Sequence, residues 1–301
     1  MTHGYLILIG APKAGTSTLA RLLARRDDVI PCAHKEPRFF TDFAARDWHG
    51  PGAASFRAGM IVRESAYVGA FGPADRSGWR LDASTDYLSN PAAPARIHAW
   101  AQRYPTRLIC VLRDPVARII SEYQHTVRDH LETERLRRAM ELEPERVAAG
   151  WQPLFHHLRR STYHADVTRY RDLFGDDLLL LDFAELTAPD KLMDRISRFL
   201  GTAPSAAETT GGHAAAPREN SSHVYRSPTL ARLMRNRRAM SLGRALPKTW
   251  RAGLRGWVER HNRTRLDPAP EEMAYLRAAL SDDMLRCRAD PHIPTASWTF
   301  T

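Results

Sequence analysis

Short apolar runs that alternate with longer amphipathic stretches dominate the first 200 residues of this chain. Tyr5–Ile9, Arg107–Leu112 and Leu178–Leu181 are almost entirely apolar, which is typical of central parallel strands covered on both sides. Trp79–Ala83 predicts a shorter strand. The alternation predicts an α/β fold with three layers, in which helices flank a central, mainly parallel sheet. Amphipathic stretches predict helices near residues 16–23, 94–104, 115–127, 161–174 and 189–200.

The last third of the chain has a different pattern. Residues 201–225 are rich in alanine, threonine, glycine and proline, and this composition predicts a flexible loop. Residues 226–265 carry twelve arginines and lysines and a single acidic residue. These charges fit either a solvated pair of helices packed on the domain or a dedicated binding surface. We therefore expect one domain over 1–301, with its core at 4–200 and a basic helical C-terminal region at 226–301.

Composition narrows the class of partner and the compartment. The net charge of +10, with 40 arginines and 4 lysines, favours anionic partners such as nucleic acid, anionic lipid, a nucleotide or an acidic glycan. Because no run of about 18 apolar residues is present, we expect no membrane span. The chain begins almost at once with a strand, so we expect no signal peptide. The cysteines, Cys32, Cys110 and Cys287, are odd in number and far apart, which favours a reducing cytoplasm and argues against a zinc site.

The densest chemical signal is a glycine-containing loop between the first strand and the first helix. The sequence GAPKAGTSTL, from Gly10 to Leu19, offers two glycines, an interior Lys13 and three hydroxyls. Glycine lets the backbone approach a ligand, and the free N–H groups and dipole of the helix attract a phosphate or sulfate. A nucleotide triphosphatase has a lysine directly after the second glycine, where this chain has Thr16. The loop is therefore P-loop-like without the P-loop spacing, and an ordinary tight turn is the alternative.

A second strand end also carries charge. Arg113 follows the strand, and Asp114 and Pro115 suit the start of a helix. Ser121 lies eight residues after Arg113. Because arginine forks onto phosphate oxygens, Arg113 and Ser121 together can hold a second anionic group if the ligand lies along that helix. Taken separately, Arg113 fits a structural ion pair and Ser121 an ordinary helix serine.

The segment Val29–Phe40 leaves the carboxyl edge of the predicted sheet, where ligands of open α/β folds bind. Its prolines prevent a continuous helix. A carboxylate such as Glu36 can accept a proton from a hydroxyl within hydrogen-bond reach, or it can form an ion pair with Lys35 or Arg38. The segment therefore holds candidates for acid–base chemistry at the edge where the glycine loop also lies.

Together these motifs resemble the sulfotransferases that use 3′-phosphoadenosine 5′-phosphosulfate (PAPS), in the style of heparan-type and bacterial glycan sulfotransferases. GAPKAGTSTL at Gly10–Leu19 is similar to the family's loop for the 5′-phosphosulfate. LRDPVARIISEY at Leu112–Tyr123 is similar to its 3′-phosphate motif, and KEPRFF at Lys35–Phe40 to a heparan-type segment. Ser161–Leu186 resembles the helix and strand that follow the family's active site. The resemblance covers about residues 4–200.

The resemblance implies how the nucleotide is held. Lys13 would contact the bridging oxygen and the 5′-phosphate, and Arg113 and Ser121 would hold the 3′-phosphate. The family's late Lys-Gly-Arg loop is missing here, and Arg218 or Arg226 is the expected cover for the 3′-phosphate. The backbone N–H groups and hydroxyls of the first loop would complete the site: Ala14, Gly15, Thr16, Ser17 and Thr18.

The resemblance also implies which residues act on the acceptor. Glu36 would be the general base, and His34 and His125 are reserve candidates because imidazole titrates near neutral pH. The heparan-type motif that carries a lysine is replaced here by Asp82–Tyr87, with alanine at the lysine position. This departure leaves Ser84 as the expected contact to the acceptor.

The resemblance therefore implies in-line transfer of a sulfuryl group from PAPS to a hydroxyl, with release of adenosine 3′,5′-bisphosphate and no metal. The expected acceptor is an anionic glycan or a small alcohol or phenol, without nucleic acid, and a homodimer is a further option. A P-loop kinase or other NTPase is the enzyme alternative, with Asp182 in the place of a Walker-B aspartate. A non-enzymatic protein that binds nucleic acid or anionic glycan through residues 226–265 is the second alternative.

Overall fold

The computed structural model describes residues 4–73, 77–202, 224–225, 263–264 and 267–300. Its main feature is a five-stranded sheet in which every pair of neighbouring strands is parallel. The order across the sheet is β2-β3-β1-β4-β5. The strands are β1 (Tyr5–Gly10), β2 (Val29–Pro31), β3 (Trp79–Asp82), β4 (Thr106–Leu112) and β5 (Leu178–Asp182).

Helices flank this sheet, so the predicted three-layer α/β fold is confirmed. The predicted start of the helix at Ser161 is three residues early, because Arg159–Ser161 form a separate 3₁₀ turn. The helices are α1 (Thr16–Leu23), α2 (Ala53–Ala58), α3 (Glu64–Gly69), α4 (Ala93–Ala101), α5 (Pro115–Arg128), α6 (Leu136–Glu141), α7 (Glu143–Ala148), α8 (His164–Phe174), α9 (Pro189–Leu200) and α10 (Pro270–Ala289).

Strand β1 lies at the centre because all six of its residues are buried. It pairs with β3 on one side, where Ile7 faces Asp82, and with β4 on the other, where Ile7 faces Leu108. Since parallel strands end at the same edge, the segments that follow β1, β3 and β4 meet there. The predicted glycine loop and the predicted arginine strand end are thus neighbours.

Strand β2 is a short edge strand that the apolar pattern did not predict. Val29 and Pro31 pair with Trp79 and Leu81 of β3. Pro31 has no backbone N–H, which an edge strand tolerates and a central strand does not. The segment that carries Glu36 therefore starts from the edge of the sheet.

An aromatic cluster fixes this segment against the sheet. Phe39 stacks on Tyr67 with ring centroids 4.3 Å apart, and Phe40 meets Trp100 edge-on at 5.6 Å. The Tyr5 ring of β1 meets Trp100 edge-on at 5.1 Å. Aromatic pairs of this kind contribute about 0.5–1.5 kcal/mol each beyond the area that they bury. The aromatic contacts therefore fix the end of the segment that carries Glu36.

The C-terminal residues pack over the ends of β4 and β5. The N–H of Thr299 donates to Asp114 Oδ2 at 2.8 Å, and the Ser297 hydroxyl donates to Asp182 Oδ1 at 2.5 Å. Trp298 between them is buried. Asp114 also caps α5 as predicted, because its other oxygen accepts the N–H of Ala117 at 2.8 Å.

The predicted loop at 201–225 and basic region at 226–265 lie almost entirely outside the described residues. Within them the structure describes one antiparallel pair, β6 (Val224–Tyr225) and β7 (Arg263–Thr264), and β6 lies against α5. No helix in the described ranges is both long enough and apolar enough to cross a membrane.

The burial of β1 predicts a large stability cost for truncating its side chains. Ile7 is fully buried, so Ile7→Ala should lower the free energy of unfolding by about 3 kcal/mol in urea denaturation. Val62 is 65% exposed and serves as the β-branched control, for which we expect a change within about 0.5 kcal/mol. Equal effects at both positions would contradict a central position for β1.

Candidate functional site

The loop after β1 turns sharply into helix α1. Lys13 and Gly15 both adopt left-handed backbone conformations, with φ of 66° and 78°. The N–H groups of Thr18 and Leu19 donate to the carbonyl of Gly15 at 2.9 and 3.1 Å and close the first turn of α1. The earlier N–H groups of a helix have no acceptor within it, so this end of α1 is suited to an anion.

Gly15 cannot carry a side chain in this loop. A Cβ atom there would lie 2.3 Å from Leu186 Cδ1 and 3.1 Å from Phe183 Cε2, both in the turn that follows β5. The backbone is thus pressed against the adjoining loop. Of the hydroxyl residues that follow, Thr16 is buried, Thr18 is half-buried and Ser17 is exposed.

Two cations meet beside this loop. The Arg113 guanidinium donates from Nη1 to the carbonyl of Lys13 at 2.9 Å and stacks over the Phe183 ring, 4.7 Å from its centroid. Among the described residues, neither Lys13 nor Arg113 forms an ion pair with a carboxylate. Both side chains are half-buried, and charges withdrawn from water are normally paired, so two cations without a partner favour an anionic ligand.

Local charges and burial lower the pKa of Lys13 to about 8. Burial is the largest cause, followed by the positive charge of Arg128, while Glu122 opposes the shift and Arg113 adds to it. Burial likewise lowers the pKa of Arg113. An anion bound here would raise both pKa values, because an opposite charge favours the charged form.

Helix α5, which follows Arg113, carries two further residues that the sequence predicted for the site. Ser121 lies on α5 and is buried. Strand β6 lies against the same helix. His125, one turn further along, hydrogen-bonds Arg128, and its Nδ1 lies 3.5 Å from Asp129 Oδ2. Burial and the nearby Lys13 charge lower the pKa of His125 to about 4, so its imidazole is neutral beside Lys13. The predicted residues Arg218 and Arg226 lie outside the described part of the chain.

The second part of the site is the segment that follows β2. Glu36 and Arg38 both have left-handed backbones, with φ of 53° and 52°. Arg38 Nη2 donates to Glu36 Oε2 at 2.6 Å, which is one of the two ion pairs that the sequence left open. Within the described residues, the other Glu36 oxygen has no hydrogen-bond partner. His34 lies two residues earlier and is exposed.

The environment of Glu36 pushes its pKa upward. Burial is the largest cause and the negative charge of Asp86 is the next, while Arg38, Lys35 and Arg160 act in the opposite direction. A carboxylate whose pKa is raised toward the working pH is better suited to accept a proton. The ion pair with Arg38 and a role as a base are therefore compatible.

Ser84 has a supporting position rather than the predicted contact to an acceptor. Its side chain is fully buried, its hydroxyl donates to Asp82 Oδ1 at 2.6 Å, and it accepts the N–H of Arg38 at 3.0 Å. Asp82 also accepts the hydroxyls of Tyr67 and Tyr87 at 3.0 and 2.7 Å. This buried cluster holds Arg38 in its left-handed conformation.

Sequence reasoning missed several groups at this edge. Phe183 directly follows β5, and ligands of open α/β folds bind at the carboxyl ends of the strands, so its position was a signal for it. Arg160 donates hydrogen bonds to Asp86 and to Glu122, but these partners lie 74 and 38 residues from it along the chain. No spacing in the sequence marks contacts of that kind.

Asp182 does not have the surroundings of a Walker-B aspartate. It lies at the end of β5, which is separated from β1 by β4. Its carboxylate accepts the N–H of Ala184 at 2.8 Å and both the N–H and the hydroxyl of Ser297. These contacts leave Asp182 the structural role of anchoring the C-terminal residues.

Fold and site together define an α/β protein of the P-loop-like class with a candidate anion site after its first strand. A profile of the sulfotransferase family matches residues 6–205. The chain therefore belongs to the sulfotransferase family, and its predicted place among the transferases is confirmed.

Individual relatives agree with this assignment. Heparan sulfate glucosamine 3-O-sulfotransferases 3B1 and 3A1 of Mus musculus are each 34% identical to it over 121 residues, or 40% of this chain. The match spans 26% of the length of each of these curated relatives. The crystal structure of a sulfotransferase from Alicyclobacillus acidocaldarius shares the fold with a TM-score of 0.69, at 24% identity over 96% of both chains.

The crowding at Gly15 predicts a specific stability loss. Gly15→Ala introduces both a left-handed alanine and a collision with Leu186 and Phe183, which we expect to lower the free energy of unfolding in urea. Gly72→Ala is the matched control, because Gly72 has a φ of 80° and open space around it. The difference between the variants should be about 2 kcal/mol, the cost of overpacking alone. Equal losses would refute close packing of the loop.

Proposed function

We propose that this protein transfers a sulfuryl group from PAPS to a hydroxyl group of an acceptor and releases adenosine 3′,5′-bisphosphate. The observation that carries the proposal is a pair of cationic residues at two adjacent strand ends, Lys13 and Arg113, which have no ion-pair partner in the described residues. They are neighbours, because the Arg113 guanidinium donates to the backbone carbonyl of Lys13. They suit a ligand with anionic groups at two places. Membership of the sulfotransferase family supports the same reaction.

The residues at the edge of the sheet fit the donor. Lys13 and the N–H and hydroxyl groups of Ala14–Thr18 would hold its 5′-phosphosulfate, and Gly15 lets the backbone approach. Arg113 and Ser121 would hold the 3′-phosphate, the group that distinguishes PAPS from ATP. PAPS would supply an activated sulfuryl group, which would pass to the acceptor oxygen as its bond to the 5′-phosphate oxygen breaks and adenosine 3′,5′-bisphosphate leaves.

Lys13 has the charge that the reaction needs. With a pKa of about 8 it is mainly protonated at neutral pH, and a bound anion increases that fraction. Its ammonium group neutralises the negative charge that develops on the leaving oxygen. A charge held in place before the reaction is the usual source of such stabilisation.

Glu36 is the proposed general base. Its second carboxylate oxygen accepts the proton of the acceptor hydroxyl, while Arg38 holds the first at 2.6 Å. His34, which lies on the same segment and is exposed, is the proposed substitute. His125 fits the role less well, because burial and the charge of Lys13 on the donor side lower its pKa to about 4.

The acceptor is proposed to be a hydroxyl-bearing anionic glycan. The names of the mouse relatives contain a glucosamine of heparan sulfate, and the net charge of +10 suits an anionic acceptor. A small alcohol or phenol is the second proposal. The three free cysteines agree with the reducing cytoplasm as a proposed location, and assembly as a homodimer stays a prediction.

A thermal shift experiment with adenosine 3′,5′-bisphosphate tests the proposed donor. At about 100 times its dissociation constant the ligand should stabilise the protein by about 2.7 kcal/mol and raise Tm by about 5 °C or more. Adenosine 5′-monophosphate, which lacks the 3′-phosphate, should give a much smaller shift. Stabilisation by ATP with magnesium alone would favour the NTPase alternative and contradict the proposal.

Replacement of Lys13 tests the mechanism. Lys13→Ala should lower kcat for sulfate transfer by about a hundredfold, which is the scale for loss of one donor to a developing oxyanion. The control is Lys191→Ala, since Lys191 is an exposed lysine on α9, and its kcat should match that of the unaltered protein. Sulfation by Lys13→Ala at a near-normal rate would show that the mechanism is wrong.

A further inference from the structure

A row of alternating charges runs from the segment after β2 to helix α5. Arg38 donates from Nη2 to Glu36 Oε2 at 2.6 Å and from Nε to Asp86 Oδ2 at 2.5 Å. Arg160 donates to the other oxygen of Asp86 at 2.6 Å and to Glu122 Oε1 at 2.8 Å. We call these five residues, Glu36, Arg38, Asp86, Arg160 and Glu122, the charge row.

Both carboxylate oxygens of Glu122, at the inner end of the charge row, have partners, whereas one oxygen of Glu36 has none among the described residues. The second oxygen of Glu122 accepts from Arg118 Nη2 at 2.8 Å and lies 2.9 Å from His157 Nδ1. The side chains of Asp86 and Arg160 are each 5% exposed and that of Glu122 is 1% exposed, whereas Glu36 is 23% exposed. The row therefore reaches the surface at the proposed base.

Stability alone is not a sufficient reason for this arrangement. Taking several charges out of water is costly, and well-packed apolar side chains of the same volume are often at least as stabilising. Each charge of the row is instead fixed by its neighbours, so a change at Arg160 is felt at Glu36. Fixed neighbouring charges are a common way to set the geometry of a reacting carboxylate.

Arg160 decides how Arg38 meets its two acidic partners. Because Arg160 occupies Oδ1 of Asp86, Arg38 has access to Oδ2 only and contacts it through Nε. The Nη2 group of Arg38 is then directed to Glu36. Without Arg160, the Arg38 fork is free to close on both oxygens of Asp86, the geometry that arginine and carboxylate prefer, and to leave Glu36.

We propose that Arg160 is a positioning residue for Glu36, which acts by holding one oxygen of Asp86 so that Arg38 stays against the Glu36 carboxylate. The proposal rests on the proposed function, in which Glu36 accepts the acceptor proton. Within the described part of the chain, four charged groups act on Glu36: Lys35 and Arg38 from its own segment, Asp86 from the turn after β3 and Arg160 from the turn before α8.

Two substitutions of opposite charge test the proposal. Arg160→Gln removes a cation and releases Arg38, so the pKa of Glu36 should rise by about half a unit or more. Asp86→Asn removes an anion, and Arg38 then has Glu36 as its one acidic partner in the charge row, so the pKa of Glu36 should fall. A base works deprotonated and kcat/KM rises with pH through its pKa, so the acidic limb of the pH profile should move up in the first variant and down in the second.

The measurement is a carbon-13 NMR titration of the Glu36 carboxyl, assigned with Glu36→Gln, beside the pH profile of kcat/KM. Arg26→Gln is the control for loss of a buried arginine. Arg26 donates to Asp28 at 2.8 and 3.0 Å and to Ser197 at 2.6 Å. It lies just before the amino end of β2, whereas Glu36 follows the carboxyl end of that strand. We expect it to lower stability without a shift at Glu36.

Shifts of the Glu36 pKa in the same direction in both variants, or no larger than in Arg26→Gln, would overturn the proposal. Asp86→Asn keeps the shape of the side chain, so it gives an answer even if Arg160→Gln fails to fold. The NMR titration does not need turnover. If it shows opposite shifts while the protein does not sulfate any acceptor with PAPS, the positioning role stands and the proposed function fails.

Discussion

The burial of β1 between β3 and β4 is the constraint on which the rest of the structure depends. A strand without a polar face has to be covered by helices and paired on both sides, and here both partners are parallel. Parallel pairing sends the segments that follow the three strands to one edge. The glycine loop, the Asp82–Tyr87 turn and Arg113 are neighbours for that reason.

Charges at this edge are of two kinds, and the difference defines the site. Lys13 and Arg113 lack an ion-pair partner among the described residues, whereas Asp86, Arg160 and Glu122 are satisfied by one another. An isolated buried charge is expensive, so the first kind is stable only with a ligand or with partial access to water. The first kind therefore marks where we propose that an anion binds, and the second kind builds the support beside it.

The sequence was sufficient for four of the five strands of the described sheet and for the position of the candidate donor residues at its carboxyl edge. Apolar runs end within a residue or two of β1, β4 and β5, and residues at strand ends, such as Lys13 and Arg113, follow from them. It was not sufficient for β2, because a three-residue edge strand with Pro31 has too little pattern. Ser84 was expected to contact the acceptor, since a sequence motif does not distinguish a hydroxyl that faces a ligand from one that is buried against Asp82.

Apart from its Glu36–Arg38 pair, the charge row lay beyond prediction for a related reason: its other contacts join turns that are distant in the sequence and follow no period. Its inner end explains how the two parts of the site form one unit. Ser121 and Glu122 are consecutive on α5 and therefore point about 100° apart around the helix. Glu122 contacts Arg160 and His157, which both lie outside α5, so these contacts constrain the rotation of α5 and with it the direction of Ser121. The Arg160–Glu122 pair of the charge row thus also constrains the residue proposed to meet the donor.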